Sequence, residues 1–359
     1  MKLRFPTWLP PLAIVLATQQ GWVGEATLLG QEGETDAAAG AILERMRDAF
    51  EKRGKGGRAP VVRLAAGTEK RSILHDGVER RWLLHLPNAT KPEKPVPLVL
   101  ALHGAWTNGA ITEGLTGLSA LSDGKGFLAV YPDADPSGGA GVWDFWTRTE
   151  DRAGPLAERL GRTRDDNGFL LAVIDRLVTE KLADPKRVYL TGISNGAFMT
   201  NRLAIEHGDR FAAIAPVAGT LPKLEAAGAA PSRAMPVLYF HGTADRLVGY
   251  DGVDFISGGA HSLGAEAYVK WWAEKNGRAA EPFVESPPDR APEDGCTVER
   301  RTWAAGDAGA PVVFYRIEGG GHTWPGGSES QPERLLGKVS RDIDASALMW
   351  EFFARFSLP

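Results

Sequence analysis

The chain has 359 residues, of which 43% are hydrophobic and 24% charged, with a formal charge of -4 at pH 7. That length supports one large domain or two modest ones with a full core, and the mild negative balance excludes a basic field for nucleic acid. Cys296 is the only cysteine, so an intramolecular disulfide is excluded and a thiolate metal site has no basis.

The chain opens on Met1-Lys2-Leu3-Arg4, followed by a mostly apolar, uncharged stretch over residues 5–17. This length fits a secretory signal better than a spanning helix, although Pro6, Pro10 and Pro11 interrupt it; a retained anchor and a non-targeting tail are the other readings. We expect residues 1–25 to be a signal peptide and 26–69 an extension and linker, with a short helix over 37–50. The catalytic domain is expected over 70–359. It begins with strands over 71–76 and 80–86, joined across Asp76-Gly77. Short apolar runs over 97–102 and 127–131 read as buried strands. Residues 165–182 carry apolar side chains at 170, 173, 174 and 177 behind an acidic first turn, a helical stripe that Asp165 and Asp166 cap and begin. Further strands are expected over 187–191, 211–217, 237–240 and 312–317, and helices over 195–206, 265–275 and 342–353. Strands alternating with helices of this length predict an α/β fold with a mostly parallel sheet covered on both faces. The chain shows no internal repeats, and no appended carbohydrate- or polymer-binding module is expected within it.

Three of these strands end in residues that carry chemistry. The run 188–190 leads into Gly192-Ile193-Ser194-Asn195-Gly196, which puts Ser194 on the tight turn between strand and helix. Asp245 follows the 237–240 strand in His241-Gly242-Thr243-Ala244-Asp245. His322 follows the 312–317 strand in a glycine-rich loop, Gly319-Gly320-Gly321-His322-Thr323-Trp324-Pro325-Gly326. A serine hydroxyl is a weak nucleophile at neutral pH and needs a base within reach. His322 is the candidate base and Asp245 the group that fixes its tautomer. Asp209 and Asp251 are the fallback acids. His103 and His241 each follow an apolar run and precede glycine, and read as structural. Acyl transfer also needs donors for the developing oxyanion. One is expected from the Asn195 main-chain N–H, the other from His103-Gly104-Ala105-Trp106, with Ala105 chosen and Trp106 as alternative.

Taken together, Ala101-Leu102-His103-Gly104, Tyr131-Pro132-Asp133, Asp165-Asp166-Asn167-Gly168-Phe169, the 189–197 segment around Ser194, the 211–219 segment, His241 to Asp245 and Gly320 to Gly326 carry a resemblance. Over residues 70–355 the chain resembles the α/β-hydrolase esterases of the polyhydroxybutyrate depolymerase and feruloyl esterase group. The resemblance implies the α/β-hydrolase fold, Ser194 as nucleophile, Asp245 as acid and His322 as base. It also implies activity without a cofactor on acetyl, feruloyl or hydroxyalkanoate esters. That family often has cysteine where Ala105 stands and uses its main-chain N–H in the oxyanion hole. The alanine removes a usual disulfide partner and keeps the amide.

Trp106, Trp143, Trp146 and Trp324 all fall in loops near the expected catalytic edge and are candidate substrate-binding residues, with loop packing as the other reading. Arg148, Arg152 and Arg159 read mainly as surface groups. Neither a His-Glu-x-x-His pattern nor calcium-loop spacing occurs, so no metal is expected. Asn88-Ala89-Thr90 is a glycosylation triplet of the kind that arises often by chance. The expected function is a secreted serine carboxylic ester hydrolase acting on small-molecule, polysaccharide-linked or polyester esters, with no nucleic-acid or membrane partner. Acetyl xylan esterase is the near alternative. A peptidase on the same scaffold would need an α-amino or proline-specificity signature, and a non-catalytic binder would have no physical need for all three catalytic loops.

Overall fold

The computed structural model describes residues 63–89, 93–134, 141–145, 165–253, 261–277, 281–304, 310–328, 331 and 333–359. The expected signal peptide, the 37–50 helix, Thr90, Trp146, Arg148, Arg152 and Arg159 lie outside these residues.

Regular structure begins with the antiparallel hairpin β1 (Thr68–His75) and β2 (Val78–His85), turned at Asp76 and Gly77, both at positive φ. Then come β3 (Val96–Leu102), α1 (Gly109–Thr116), α2 (Leu118–Lys125) and β4 (Leu128–Pro132). The second part runs α3 (Asp166–Thr179), β5 (Ala183–Ile193), α4 (Asn195–Glu206), β6 (Ala213–Val217), α5 (Lys223–Gly228) and β7 (Val237–Gly242). The chain closes with α6 (Ala265–Lys275), β8 (Phe283–Glu285), β9 (Thr297–Trp303), β10 (Val312–Glu318), α7 (Glu333–Leu336) and α8 (Ala345–Phe353).

These strands form one sheet in the order β1-β2-β4-β3-β5-β6-β7-β10-β9-β8. The six from β4 to β10 run parallel, and an antiparallel pair flanks them at each end. Side chains alternate across a strand, so the continuous apolar runs of the centre serve two cores. On β3, Leu98, Leu100 and Leu102 pack on one face, with Phe169, Val173, Leu203 and Trp272 from α3, α4 and α6. Val99 and Ala101 point the other way, toward Leu118, Met349 and Phe353 from α2 and α8. Tyr189 on β5 stacks on Phe353 at 4.8 Å and donates to the Phe356 carbonyl at 2.7 Å, fixing the C-terminal helix to the sheet. Each fully buried large apolar side chain contributes about 2 kcal/mol relative to exposure.

Two consequences position the site. Parallel strands deliver the loops after β3, β5, β7 and β10 to the same sheet edge. The helix α4, which follows the Ser194 turn, is nearly all buried and is tied to α6 through Asn201. That carboxamide accepts from Tyr268 Oη at 2.7 Å and Trp272 Nε1 at 3.2 Å, and donates to the carbonyls of Ala197 and Thr220, both at 3.1 Å. A buried amide with its donors and acceptors met in this way fixes one packing of the helix.

Candidate active site

Ser194 follows β5 directly. Its backbone sits at φ 57°, ψ -122°, a conformation that costs a non-glycine residue about 1–3 kcal/mol. The surroundings enforce it. Ser194 N–H donates to Val217 O at 2.9 Å, and Ala197 and Phe198 N–H donate to Ser194 O at 2.8 and 3.1 Å. The turn also requires two close approaches that only glycine permits. A Cβ on Gly192 would lie 2.5 Å from the Gly196 backbone, and one on Gly196 only 2.3 Å from Leu102 O. The Ser194 hydroxyl has no hydrogen-bond partner among the described residues. Serine–imidazole contacts in ligand-free hydrolases are commonly long and tighten on substrate binding.

Asp245 and His322 meet directly. His322 Nδ1 lies 2.7 Å from Asp245 Oδ2, and both side chains are almost fully buried. The other carboxylate oxygen accepts from the N–H groups of Leu247 and Val248 at 2.8 and 3.0 Å. His241 Nε2 lies 3.3 Å from Oδ2. Burial opposes the charge on Asp245, but His322 and the hydrogen bonds from both histidines outweigh it and hold the carboxyl well below its ordinary range. The aspartate is therefore a fixed anion, an acceptor for Nδ1–H that leaves Nε2 as the open nitrogen. The loop carrying His322 is held from downstream. His322 N–H donates to Leu336 O at 2.6 Å and Gly321 N–H to Lys338 O at 3.0 Å. The fallback acids are elsewhere: Asp209 and Asp251 are exposed, and Asp251 accepts from Val253 N–H at 3.2 Å.

His241, near the end of β7, is structural. Nε2 donates to Val248 O at 2.8 Å, which leaves Nδ1 to accept from Tyr239 Oη. His103 is structural too. Nδ1 donates to Gly104 O at 2.8 Å and Nε2 accepts from Ala134 N–H at 2.9 Å, a pattern that only the neutral ring can satisfy. Burial pushes this imidazole down to about 4, with Arg80 adding to the effect and the bond to Gly104 opposing it. The sign follows. An unfolded chain protonates this histidine near pH 6.5, whereas the folded protein resists until about pH 4. Stability from this group is full above pH 6.5 and falls as pH drops through that window, by about 3 kcal/mol in all. Urea midpoints between pH 7 and 4.5 are expected to fall more steeply in the native protein than in His103→Gln. Parallel slopes would contradict the assignment.

The loop after β3 brings Gly104 beside the serine: a Cβ there would lie 3.5 Å from Ser194 Cβ. Trp106 N–H donates to Gly141 O at 3.2 Å, which removes it as an oxyanion donor. Ala105 N–H has no acceptor among the described residues. At the start of α4, the Asn195 side chain faces the other way: Oδ1 accepts from Trp143 N–H at 2.7 Å and Nδ2 donates to Trp143 O at 3.2 Å.

The tryptophans need correction. Trp143 is 0% and Trp324 1% exposed. Their indole N–H groups donate inward, to His103 O at 3.0 Å and Ser346 Oγ at 3.1 Å. Both pack the loops and neither presents a face to a ligand. Trp106 is partly exposed, at φ 62°, and Trp146 lies outside the described residues. Asp165 caps α3 as expected, accepting from Gly168 N–H at 2.8 Å. Asp166 does more than begin the helix. It is buried against Arg80 at 2.6 Å and accepts from Asp144 N–H at 2.7 Å. Neither contact is visible in sequence, because Arg80 and Asp144 are distant in the chain and Asp166 looks like any first-turn acid.

Among the described residues one group has the spacing of metal ligands: His75, Asp76 and Asp165. It lies on the β1–β2 turn and the exposed N-terminus of α3, where the helix dipole disfavours a cation.

A protein of Nocardia uniformis subsp. tsuyamanensis bearing the name "Putative esterase NocK" is 32% identical over 298 residues, covering 80% of this chain and 83% of its own. The chain belongs to the α/β-hydrolase esterases. This esterase is also 26% identical to Feruloyl esterase B of Piromyces equi over 291 residues, 78% of this chain and 46% of that one. The profile of the Prolyl oligopeptidase family matches residues 166–227, from α3 across the Ser194 turn into α5. Among solved structures, the acetyl xylan esterase from Aspergillus awamori superposes with a TM-score of 0.51 at 20% identity, over 80% of this esterase and 99% of that chain. At that identity the likeness speaks for the fold. The esterase is a carboxylic ester hydrolase of the serine type.

Proposed function

We propose that Ser194, His322 and Asp245 form the catalytic triad, with the Ala105 and Asn195 N–H groups as the oxyanion hole. The carrying observation is the buried Asp245–His322 pair at 2.7 Å on the sheet edge that also bears the strained Ser194. Reaction proceeds in two steps. Ser194 Oγ attacks the ester carbonyl as His322 Nε2 takes its proton, and the oxyanion gathers the two N–H donors. The imidazolium then protonates the departing alkoxide, leaving an acyl-serine. Water, deprotonated by His322, attacks that acyl group, and Ser194 recovers its proton as the carboxylic acid leaves.

Feruloyl-type or short hydroxyalkanoate esters are the proposed substrates, with residues 70–359 as the catalytic domain. The motif resemblance and the likeness to Feruloyl esterase B support this choice. Export is part of the proposal, supported by the basic start and apolar stretch of residues 1–17. No helix among the described residues is long and apolar enough to cross a membrane. A hydrolysis panel tests the substrate class: methyl ferulate, acetylated xylan, hydroxybutyrate oligomers and amorphous polyester, ranked by kcat/KM. Methyl ferulate or the hydroxybutyrate oligomers are expected to lead. A lead of at least about tenfold for acetylated xylan, equivalent to 1.4 kcal/mol, would replace the proposal with acetyl xylan esterase.

A further inference from the structure

The two proposed oxyanion donors lie on separate elements, Ala105 on the loop after β3 and Asn195 at the start of α4. A third segment, residues 141–145, touches both. It reaches the β3 loop through Gly141 O, which accepts from Trp106 N–H at 3.2 Å, and through the Trp143 indole, which donates to His103 O at 3.0 Å and stacks obliquely on the His103 ring at 4.8 Å. It reaches α4 through the two-point pairing of the Trp143 peptide with the Asn195 carboxamide, through Phe145 stacked on Phe198 at 4.9 Å, and through Arg202, which donates to Asp144 O. Its far side hangs on Asp166 Oδ2, which takes the Asp144 N–H at 2.7 Å while Oδ1 pairs with Arg80 of β2 at 2.6 Å. Asp166 and Arg80 are 1% and 2% exposed. A buried ion pair of this kind contributes little net stability, but losing one partner leaves a costly unpaired charge. Its effect here is to make the height of the 141–145 segment single-valued.

We propose that residues 141–145 act as a strut that sets the gap between the two oxyanion donors, with the Asn195 carboxamide and the Asp166 carboxylate as positioning residues. The inference rests on the triad and oxyanion reading above. The Asn195 side chain and its main chain then have separate roles: the N–H faces the oxyanion, and the carboxamide holds the strut. Asp166 acts at one remove, through Asp144 and Trp143. A shift of about 1 Å in donor spacing is enough to lower the rate about 100-fold.

The test compares Asn195→Ala, Asn195→Asp and Asp166→Asn with the native enzyme. Asn195→Asp keeps the main-chain donor and the side-chain shape but sets a carboxylate oxygen against Trp143 O. Turnover of p-nitrophenyl butyrate is normalised to sites titrated with a fluorophosphonate, so that only folded, acylatable enzyme counts. All three variants are expected to lose about 100-fold in kcat per titrated site, with KM changed by about twofold or less. Affinity for a trifluoromethyl ketone analogue is expected to fall by the same factor, because the analogue presents the oxyanion. Native kcat per titrated site in both Asn195 variants would overturn the strut, as would a rise in KM with kcat unchanged. If Asp166→Asn does not fold, the Asn195 pair decides alone. Failure of the underlying triad reading looks different: the native enzyme itself would not be labelled at Ser194.

Discussion

Ser194→Ala is expected to lower kcat on p-nitrophenyl butyrate by about 10⁶-fold and to abolish fluorophosphonate labelling, with little change in thermal midpoint. The loss is the largest expected for any single replacement, because no other group can stand in for the proposed nucleophile. Gly104 and Asn195 flank it, and the only other hydroxyl on the same turn of chain, Thr191 Oγ1, is buried and donates to Ala215 O at 2.6 Å. Folding should survive. The strained backbone is enforced by hydrogen bonds to main-chain atoms of Val217, Ala197 and Phe198, none of which needs the hydroxyl. Alanine removes one atom, a hydroxyl oxygen with no hydrogen-bond partner among the described residues, and so leaves no buried group unsatisfied. Activity within tenfold of native in the purified variant would dismiss the nucleophile assignment. A few thousandfold residual catalysis over water is consistent with it, since the oxyanion donors and substrate binding remain.

Asp245→Asn is expected to lower kcat by about 10⁴-fold while leaving the fold intact. The direction follows from the hydrogen bonds on the carboxylate. Oδ1 accepts from two main-chain N–H groups, those of Leu247 and Val248, so that position can hold only the amide oxygen. The new NH₂ must then face His322, where Oδ2 had accepted from Nδ1. Two donors cannot face each other, so the ring moves its proton to Nε2 and Nδ1 becomes the acceptor. Nε2, the nitrogen proposed as the base, is then already protonated and cannot take the Ser194 proton. Activity should recover partly at high pH, where hydroxide generates the alkoxide without the base. A loss of only a few fold across the neutral range would mean that Asp245 merely packs the loop.

The parallel centre of the sheet was legible because a strand buried on both faces has to be apolar throughout. The stretches 97–102, 188–190, 237–240 and 312–317 carry that mark. The proposed triad residues stood out for a related reason: each lies within a few residues of the end of such a strand, so recognising the strand points to the residue. The antiparallel ends were less so. β8 has three residues, with Phe283 and Val284 exposed, and β9 carries three consecutive charges, Glu299, Arg300 and Arg301, after Val298. Neither has a continuous run to notice. The helices α1 and α2 were missed because Gly114, Gly117 and Gly124 weaken the pattern; Gly117, at φ 66°, ends one helix and begins the next. The tryptophans show the opposite failure. An indole in a loop after a strand looks the same in sequence whether it lines a groove or packs behind it. Only the coordinates show Trp143 and Trp324 turned inward. The Arg80–Asp166 pair and the second task of Asn195 depend on segments that meet only in the folded chain.

The His322 loop takes its register from Leu336 and Lys338, which follow it in the chain. During synthesis, β5 and α4 can close the Ser194 elbow while the imidazole has nothing yet to lean on. A chain stopped short of Leu336 would carry the Ser194 turn but leave the proposed base unplaced. On the proposed triad, hydrolytic competence thus waits until residues 336–338 are in place, after the core that holds the serine has had its chance to form.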